Sequence, residues 1–166
     1  KFMGTELYGK TLGVIGLGRI GRRVAAVAAA VGMKVLGYDP NVTPEWAKNL
    51  DLSLVSLEGL CKQADFITLH IPLTDDTRHI LGAREFALMK SGVRLVNVSR
   101  GGTVDEQALA ANLDSGKVAG AALDVFEQEP PSAGCPLLCR DDVVATPHLG
   151  ASTLEAQEKV AVELAG

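Results

Sequence analysis

Three parts of this chain carry side chains whose chemistry belongs together: Arg100, a glutamate at 127 or 129, and His148. Histidine is the side chain best suited to exchange protons near neutral pH. A carboxylate beside it orients the ring and favours its charged form. Arginine offers a fixed two-pronged donor to a carboxylate. Such a set moves a proton while it holds an anion. Each member stands just past an apolar run. Val93–Val98 leads into Ser99-Arg100-Gly101-Gly102, and Ala119–Val125, with Asp124 near its end, leads into Phe126-Glu127-Gln128-Glu129-Pro130-Pro131. Val143–Thr146 leads into Pro147-His148-Leu149-Gly150-Ala151, directly before a helical pattern. Read as parallel strands, these runs deliver their polar residues to one edge of a sheet, the edge where open α/β sheets bind ligands.

A second constellation stands nearer the start, in Val14-Ile15-Gly16-Leu17-Gly18-Arg19-Ile20-Gly21, with Asp39 eighteen residues beyond the last glycine. Gly16 permits a tight turn, Gly18 lets backbone approach a pyrophosphate, and Gly21 lets the helix pack close to the sheet. The N–H groups at the helix start, with the helix dipole, favour negative charge there. Asp39 accepts hydrogen bonds from a ribose and repels a 2′-phosphate, which favours NAD over NADP. A glycine pattern alone is weak evidence; here a strand precedes it and a helix follows.

The positioning elements alternate. Strands are expected at Leu12–Gly16, Lys34–Asp39, Phe66–His70, Val93–Val98, Ala119–Val125 and Val143–Thr146. Helices are expected at Arg19–Val31, within Pro44–Leu50, and at Leu57–Gln63, Arg84–Lys90, Asp105–Asp114 and Ser152–Ala165. Strand–helix alternation calls for an α/β, doubly wound parallel sheet of Rossmann type with about six strands. In the first helix Ile20, Val24, Val27 and Val31 recur at helical spacing, and the alanines between them allow close packing on a sheet. Gly32 and Gly116 are placed to end helices. Thr103-x-x-Glu106 and Ser152-x-x-Glu155 read as capping boxes.

At 166 residues the chain suits one domain with a sizeable core. It is 47% hydrophobic and 22% charged with a formal charge of −4, so neither a membrane span nor a nucleic-acid surface is expected. Cys61, Cys135 and Cys139 form no C-x-x-C pair, and three scattered histidines make a metal site improbable. Reduced thiols point to the cytoplasm. The polar lead-in Lys1–Gly9 and the last helix, whose apolar Leu154, Val160 and Leu164 lack an obvious partner, read as one dinucleotide-binding domain, 1–166, taken from a larger enzyme whose substrate domain is absent.

Gly16–Gly21, Ser99–Glu106 and Pro147–Ser152 together resemble the NAD-binding domain of D-isomer-specific 2-hydroxyacid dehydrogenases. Lys1–Leu7 and Ala121–Phe126 resemble the branch of that family that oxidises 3-phosphoglycerate. The resemblance implies a catalytic Arg100, Glu129 and His148, which resolves the choice between Glu127 and Glu129. It implies NAD with its pyrophosphate on Gly16, Gly18 and Gly21 and the backbone at Arg19 and Ile20. Asp39 takes the adenosine ribose, and Ile71, Pro72 and Thr77 border the adenine. Val98, Ser99, Arg100, Asp124, His148, Gly150 and Ala151 meet the nicotinamide end. Val98 stands where the family more often has cysteine or alanine, at a contact expected through backbone. The implied reaction is reversible hydride transfer, with 3-phosphoglycerate giving 3-phosphohydroxypyruvate, in a homo-oligomer.

Some residues have plainer readings. Asp124 can simply satisfy backbone donors, and His70 and His79 read as structural, the second on a polar helical turn. Thr74–Arg78 reads as a solvated helix start and Arg140-Asp141-Asp142 as a surface loop. The rival functions are another D-2-hydroxyacid dehydrogenase and an NAD-sensing corepressor-type binding module. A formate dehydrogenase is disfavoured because that family pairs its histidine with glutamine. A methyltransferase leaves Arg100, Glu129 and His148 unexplained.

Overall fold

The computed structural model describes residues 4–48 and 50–165, so the expectations placed on Lys1, Phe2 and Met3 and on the side chains of Val160 and Leu164 lie outside what is described. Seven strands form one parallel sheet: β1 (Thr11–Ile15), β2 (Lys34–Tyr38), β3 (Ser53–Leu54), β4 (Phe66–Leu69), β5 (Val93–Asn97), β6 (Val118–Leu123) and β7 (Val143–Ala145). Their order is β3-β2-β1-β4-β5-β6-β7. The chain winds outward one way from β1 and then outward the other way from β4, so the crevice beyond β1 and β4 is the switch point where such sheets take ligands.

The helices are α1 (Gly21–Ala30), α2 (Pro44–Ala47), α3 (Leu57–Gln63), α4 (Ala83–Leu88), α5 (Glu106–Asp114) and α6 (Leu154–Ala165). Strand alternation on β1 assigns the two faces. Leu12 and Val14 pack with Ala25 and Ala28 of α1 on one side, while Ile15 joins Leu60 and Cys61 of α3 on the other. Gly13 lies under α3 so closely that a Cβ there would stand 2.4 Å from Leu60 Cδ2. Cys61 is fully buried, and burial foremost pushes its thiol up to about 11, so it is an inert core residue.

The structure departs from the sequence expectations at identifiable points. The sheet gains β3, two residues paired with Leu36 and Gly37, a strand too short to show any alternation. On α1 the alanines pack close on the sheet as expected, with Gly21, Ala25 and Ala28 buried. Of the larger apolar stripe only Val24 reaches the core, while Ile20 and Val27 are about two-thirds exposed, at 66% and 65%. Small side chains let the helix backbone lie close to the sheet, and that gain outweighs the larger apolar area of the valines. Both capping boxes fail. Asp105 caps α5 by accepting from Ala108 N at 2.9 Å, and Thr153, one residue past the expected Ser152, accepts from Ala156 N at 3.2 Å in α6. Residues 75–79 form turns rather than the start of a helix. Gly32 and Gly116 do end α1 and α5, at φ +83° and +72°. Arg140 is more than a loop residue, bonding Asp114 at 2.6 Å and Asp142 at 2.8 Å.

Candidate functional site

The glycine turn is built by contacts that exclude a side chain. Gly16 has φ +91°, and Gly21 sits so tightly on it that a Cβ would lie 1.9 Å from the Gly16 carbonyl oxygen. Gly21 therefore packs its helix against the turn itself as much as against the sheet. Around Gly18 the opposite holds, because a Cβ there would meet nothing within 4 Å. This leaves open space at the start of α1, the end of a helix that favours negative charge. Asp39 follows β2 and accepts from Leu17 N through Oδ2 and from Asn41 N through Oδ1, both at 2.9 Å. The acid is thus tied to the glycine turn by the sheet register, which pairs Ile15 with Tyr38.

Beyond the ends of β4 and β5 lies a cleft of about 220 Å³ whose lining includes Ile20, Ile71, Pro72, Val98, Ser99 and Arg100. Residues assigned from sequence to the adenine and nicotinamide ends thus share one cleft. Ile20 and Val98 are exposed here, at 66% and 48%, and give it apolar walls suited to a flat ring. Thr77 does not line it. Its hydroxyl donates to Pro72 O at 2.7 Å and accepts from Thr74 N at 2.7 Å, folding the segment between them. His70 lines this cleft as well; it hydrogen-bonds Thr68 Oγ1 at 3.1 Å, and burial pushes its pKa down.

The loop carrying Arg100 is shaped by Asn97, a residue the sequence reading passed over. Its Nδ2 donates to Arg100 O and Thr103 Oγ1, both at 3.1 Å, and its Oδ1 accepts from Ser99 N and Ser99 Oγ. An asparagine set between Val96 and Val98 in the expected strand was the available signal. The Arg100 guanidinium is exposed and donates to Ser99 O at 2.7 Å.

Past β6 and β7 the His148 Nδ1 and Glu129 Oε2 approach to 2.5 Å. Glu129 Oε1 accepts from Phe126 N at 3.0 Å. The bond to His148 foremost, with the Phe126 N–H, holds the Glu129 carboxyl below its ordinary range against the opposing effect of burial. With Nδ1 engaged, Nε2 is the ring nitrogen that has no partner among the described residues. His148 sits at φ +51°, a left-handed conformation that costs a non-glycine residue about 1 kcal/mol or more. Asp124 holds it there. Its Oδ1 accepts from Thr146 Oγ1 at 2.6 Å and Leu149 N at 2.8 Å, and its Oδ2 accepts from Gly150 N at 3.0 Å. Burial alone would raise the Asp124 carboxyl; these three donors outweigh it and hold the carboxyl low. The plainer reading of Asp124 as a satisfier of backbone donors matches these contacts.

His148, Glu129 and Asp124 border a cavity of about 470 Å³, walled by Phe126, Leu138 and Pro147 among others. Arg100 lines the neighbouring cleft instead. The three expected catalytic residues thus follow three adjacent strands, with only Glu129 and His148 in direct contact.

The family model described as the D-isomer specific 2-hydroxyacid dehydrogenase, NAD binding domain, matches residues 1–150. The D-3-phosphoglycerate dehydrogenase of Methanocaldococcus jannaschii is 57% identical over 159 residues, covering 95% of this chain and 30% of that protein. The hydroxypyruvate reductase of Thermotoga maritima is 55% identical over 163 residues, covering 97% of this chain and 52% of that protein. Among solved structures, a glyoxylate reductase from Paecilomyes thermophila superposes with a TM-score of 0.89 at 41% identity, covering 97% of this chain and 48% of that one. The chain belongs to the D-isomer specific 2-hydroxyacid dehydrogenase family and comprises its NAD-binding domain. It spans between about a third and a half of the length of these two relatives. Among the described residues no helix is long and apolar enough to cross a membrane.

Proposed function

We propose that this chain is the cofactor domain of a larger NAD-dependent dehydrogenase that oxidises D-3-phosphoglycerate to 3-phosphohydroxypyruvate, the first step of serine biosynthesis. The observation that carries the reading is the His148–Glu129 pair, which leaves one imidazole nitrogen available as a base. Gly16, Gly18 and Gly21 hold the pyrophosphate, Asp39 the adenosine ribose, and the cleft lined by Ile20, Val98 and Ser99 an aromatic ring. When bound, NAD supplies the hydride acceptor. His148 Nε2 takes the proton of the substrate's 2-hydroxyl as the carbon-bound hydrogen leaves with its electron pair and the C–O bond becomes a carbonyl. The imidazolium that forms keeps its Nδ1–H on Glu129, which stabilises the charge. Arg100 turns its guanidinium from Ser99 O to the substrate carboxylate.

The remaining substrate contacts come from a second domain, whose closure excludes water. The isolated chain therefore binds NAD and turns over poorly. We place the enzyme in the cytoplasm, as a homo-oligomer. A second reading, a different 2-hydroxy acid as substrate, draws support from the hydroxypyruvate reductase relative.

Full-length enzyme is assayed on 3-phosphoglycerate beside glycerate and lactate. A higher kcat/KM for 3-phosphoglycerate is expected, and preference for another acid moves the assignment to the second reading. His148→Ala is expected to lower turnover by at least roughly a hundredfold, and undiminished turnover removes the base. Calorimetry of this chain is expected to show NAD bound more tightly than NADP, and parity removes the role given to Asp39.

A further inference from the structure

We propose that Glu106, Glu127 and His79 form a clamp behind the reacting groups that fixes the 126–129 loop so that Glu129 meets His148, which makes Glu106 and Glu127 positioning residues for the proton transfer. This rests on the dehydrogenase reading above.

The two glutamates bind each other's backbone across 21 residues of sequence. Glu127 N donates to Glu106 Oε1 at 2.6 Å, and Glu106 N donates to Glu127 Oε1 at 3.2 Å. The same Glu127 oxygen lies 3.0 Å from His79 Nε2. His79 adopts φ +49°, and its N–H donates to Gly102 O at 2.8 Å, so the turn that carries it is tied to the Arg100 loop. That loop in turn presses on the start of the 126–129 segment, where a Cβ on Gly101 would stand 1.8 Å from Phe126 O. The segment is therefore gripped at Phe126 and Glu127, and Glu129 projects from it two residues later.

The chemistry of the loop explains why the grip falls upstream of Glu129. Pro130 and Pro131 follow it, and neither has an N–H to donate to a neighbouring element. The donors used lie before them: Phe126 N bonds Glu129 within the loop, and Glu127 N bonds Glu106 across it. Setting two carboxylates side by side carries a cost. Burial foremost raises the Glu106 carboxyl and the neighbouring Glu127 charge adds to it, while the Glu127 N–H and His79 oppose them. Cys135 Sγ, 4.0 Å from Glu106 Oε2, completes the surroundings. A surface loop with no positioning duty has no need of such a pair.

The test uses the full-length enzyme. Glu106→Ala and Glu127→Ala are each expected to lower kcat about tenfold, with KM for NAD changed by less than about twofold, because the misplaced group acts on the proton and not on the cofactor. Glu106→Gln keeps an oxygen that accepts from the Glu127 N–H and is expected to recover most of the loss. Melting temperatures accompany each assay, and where Glu106→Ala does not fold, Glu127→Ala carries the test. Unchanged kcat in the alanine variants overturns the clamp, as does a Glu106→Gln enzyme as impaired as Glu106→Ala. Wild type that turns over no 2-hydroxy acid brings down the dehydrogenase reading and the clamp with it; active wild type beside unaffected alanine variants brings down the clamp alone.

Discussion

The two halves of the candidate site are held in place by different means. At the β1–α1 turn the geometry comes from backbone meeting backbone: Gly21 on the Gly16 carbonyl, Gly16 N on Tyr38 O at 2.8 Å, and buried alanines on the sheet. Past β5, β6 and β7 it comes from side chains reaching between loops: Asn97 to Arg100, Asp124 to Thr146, Leu149 and Gly150, and Glu129 to His148. The first kind of support tolerates no added atom. The second tolerates atoms but not the loss of a donor or acceptor. A cofactor is held by fixed backbone dipoles, whereas proton transfer needs groups that change charge, so the divide matches the chemistry proposed for each half.

Five substitutions probe that divide. Gly21→Ala is expected to cost about 3 kcal/mol in chemical denaturation and to abolish NAD binding in calorimetry, because the new methyl overlaps a carbonyl that cannot move away. A variant of wild-type stability shows that the turn relaxes and breaks the contrast. Glu129→Gln is expected to lower kcat of the full-length enzyme roughly a hundredfold while NAD affinity holds. Equal loss of NAD binding places both halves under one constraint.

Asp124→Asn is expected to cost about 2 kcal/mol, since its amide opposes one of the three donors. Its pH dependence sharpens the point. The folded Asp124 carboxyl lies below the unfolded one. Its stabilisation is therefore full above the unfolded range, roughly pH 4, and is lost as pH falls through the lower folded value. A denaturation series from neutral to acid pH is expected to show wild type and Asp124→Asn converging at the acid end. Smallest is the contrast on α1: Ala25→Leu is expected to cost about 2 kcal/mol, and Val27→Ser no more than about 0.5 kcal/mol. The reverse order restores the valine stripe as the core face.

Much of the cofactor half was legible because its constraints are local. Gly16, Gly18 and Gly21 act within six residues, and Asp39 follows from one strand–helix–strand unit. Even there α1 was legible only in part: its alanines pack on the sheet as expected, while spacing alone did not show that Ile20, Val27 and Val31 stay exposed. The catalytic half was legible only in residue type. Nothing local distinguishes Glu129 from Glu127; the structure gives one to His148 and the other to Glu106 and His79. Thr103 and Glu106 have the spacing of a capping box, but tertiary partners claim both: Thr103 donates to Arg100 O and Glu106 accepts from Glu127 N.

The sequence by itself determined the parallel sheet, the glycine turn with its acid, and the three loops that carry an arginine, a glutamate and a histidine. Those features rest on backbone conformations and periodicities that a few neighbouring residues impose. Only the tertiary structure decided that Glu129 touches His148, that Asp124 anchors the histidine loop, and that Arg100 faces a separate cleft. The first two depend on hydrogen bonds between segments that only the folded sheet brings within about 3 Å, where a donor is satisfied by whichever acceptor the packing supplies. The third depends on the strand order, which sets β6 between the strands that deliver Arg100 and His148.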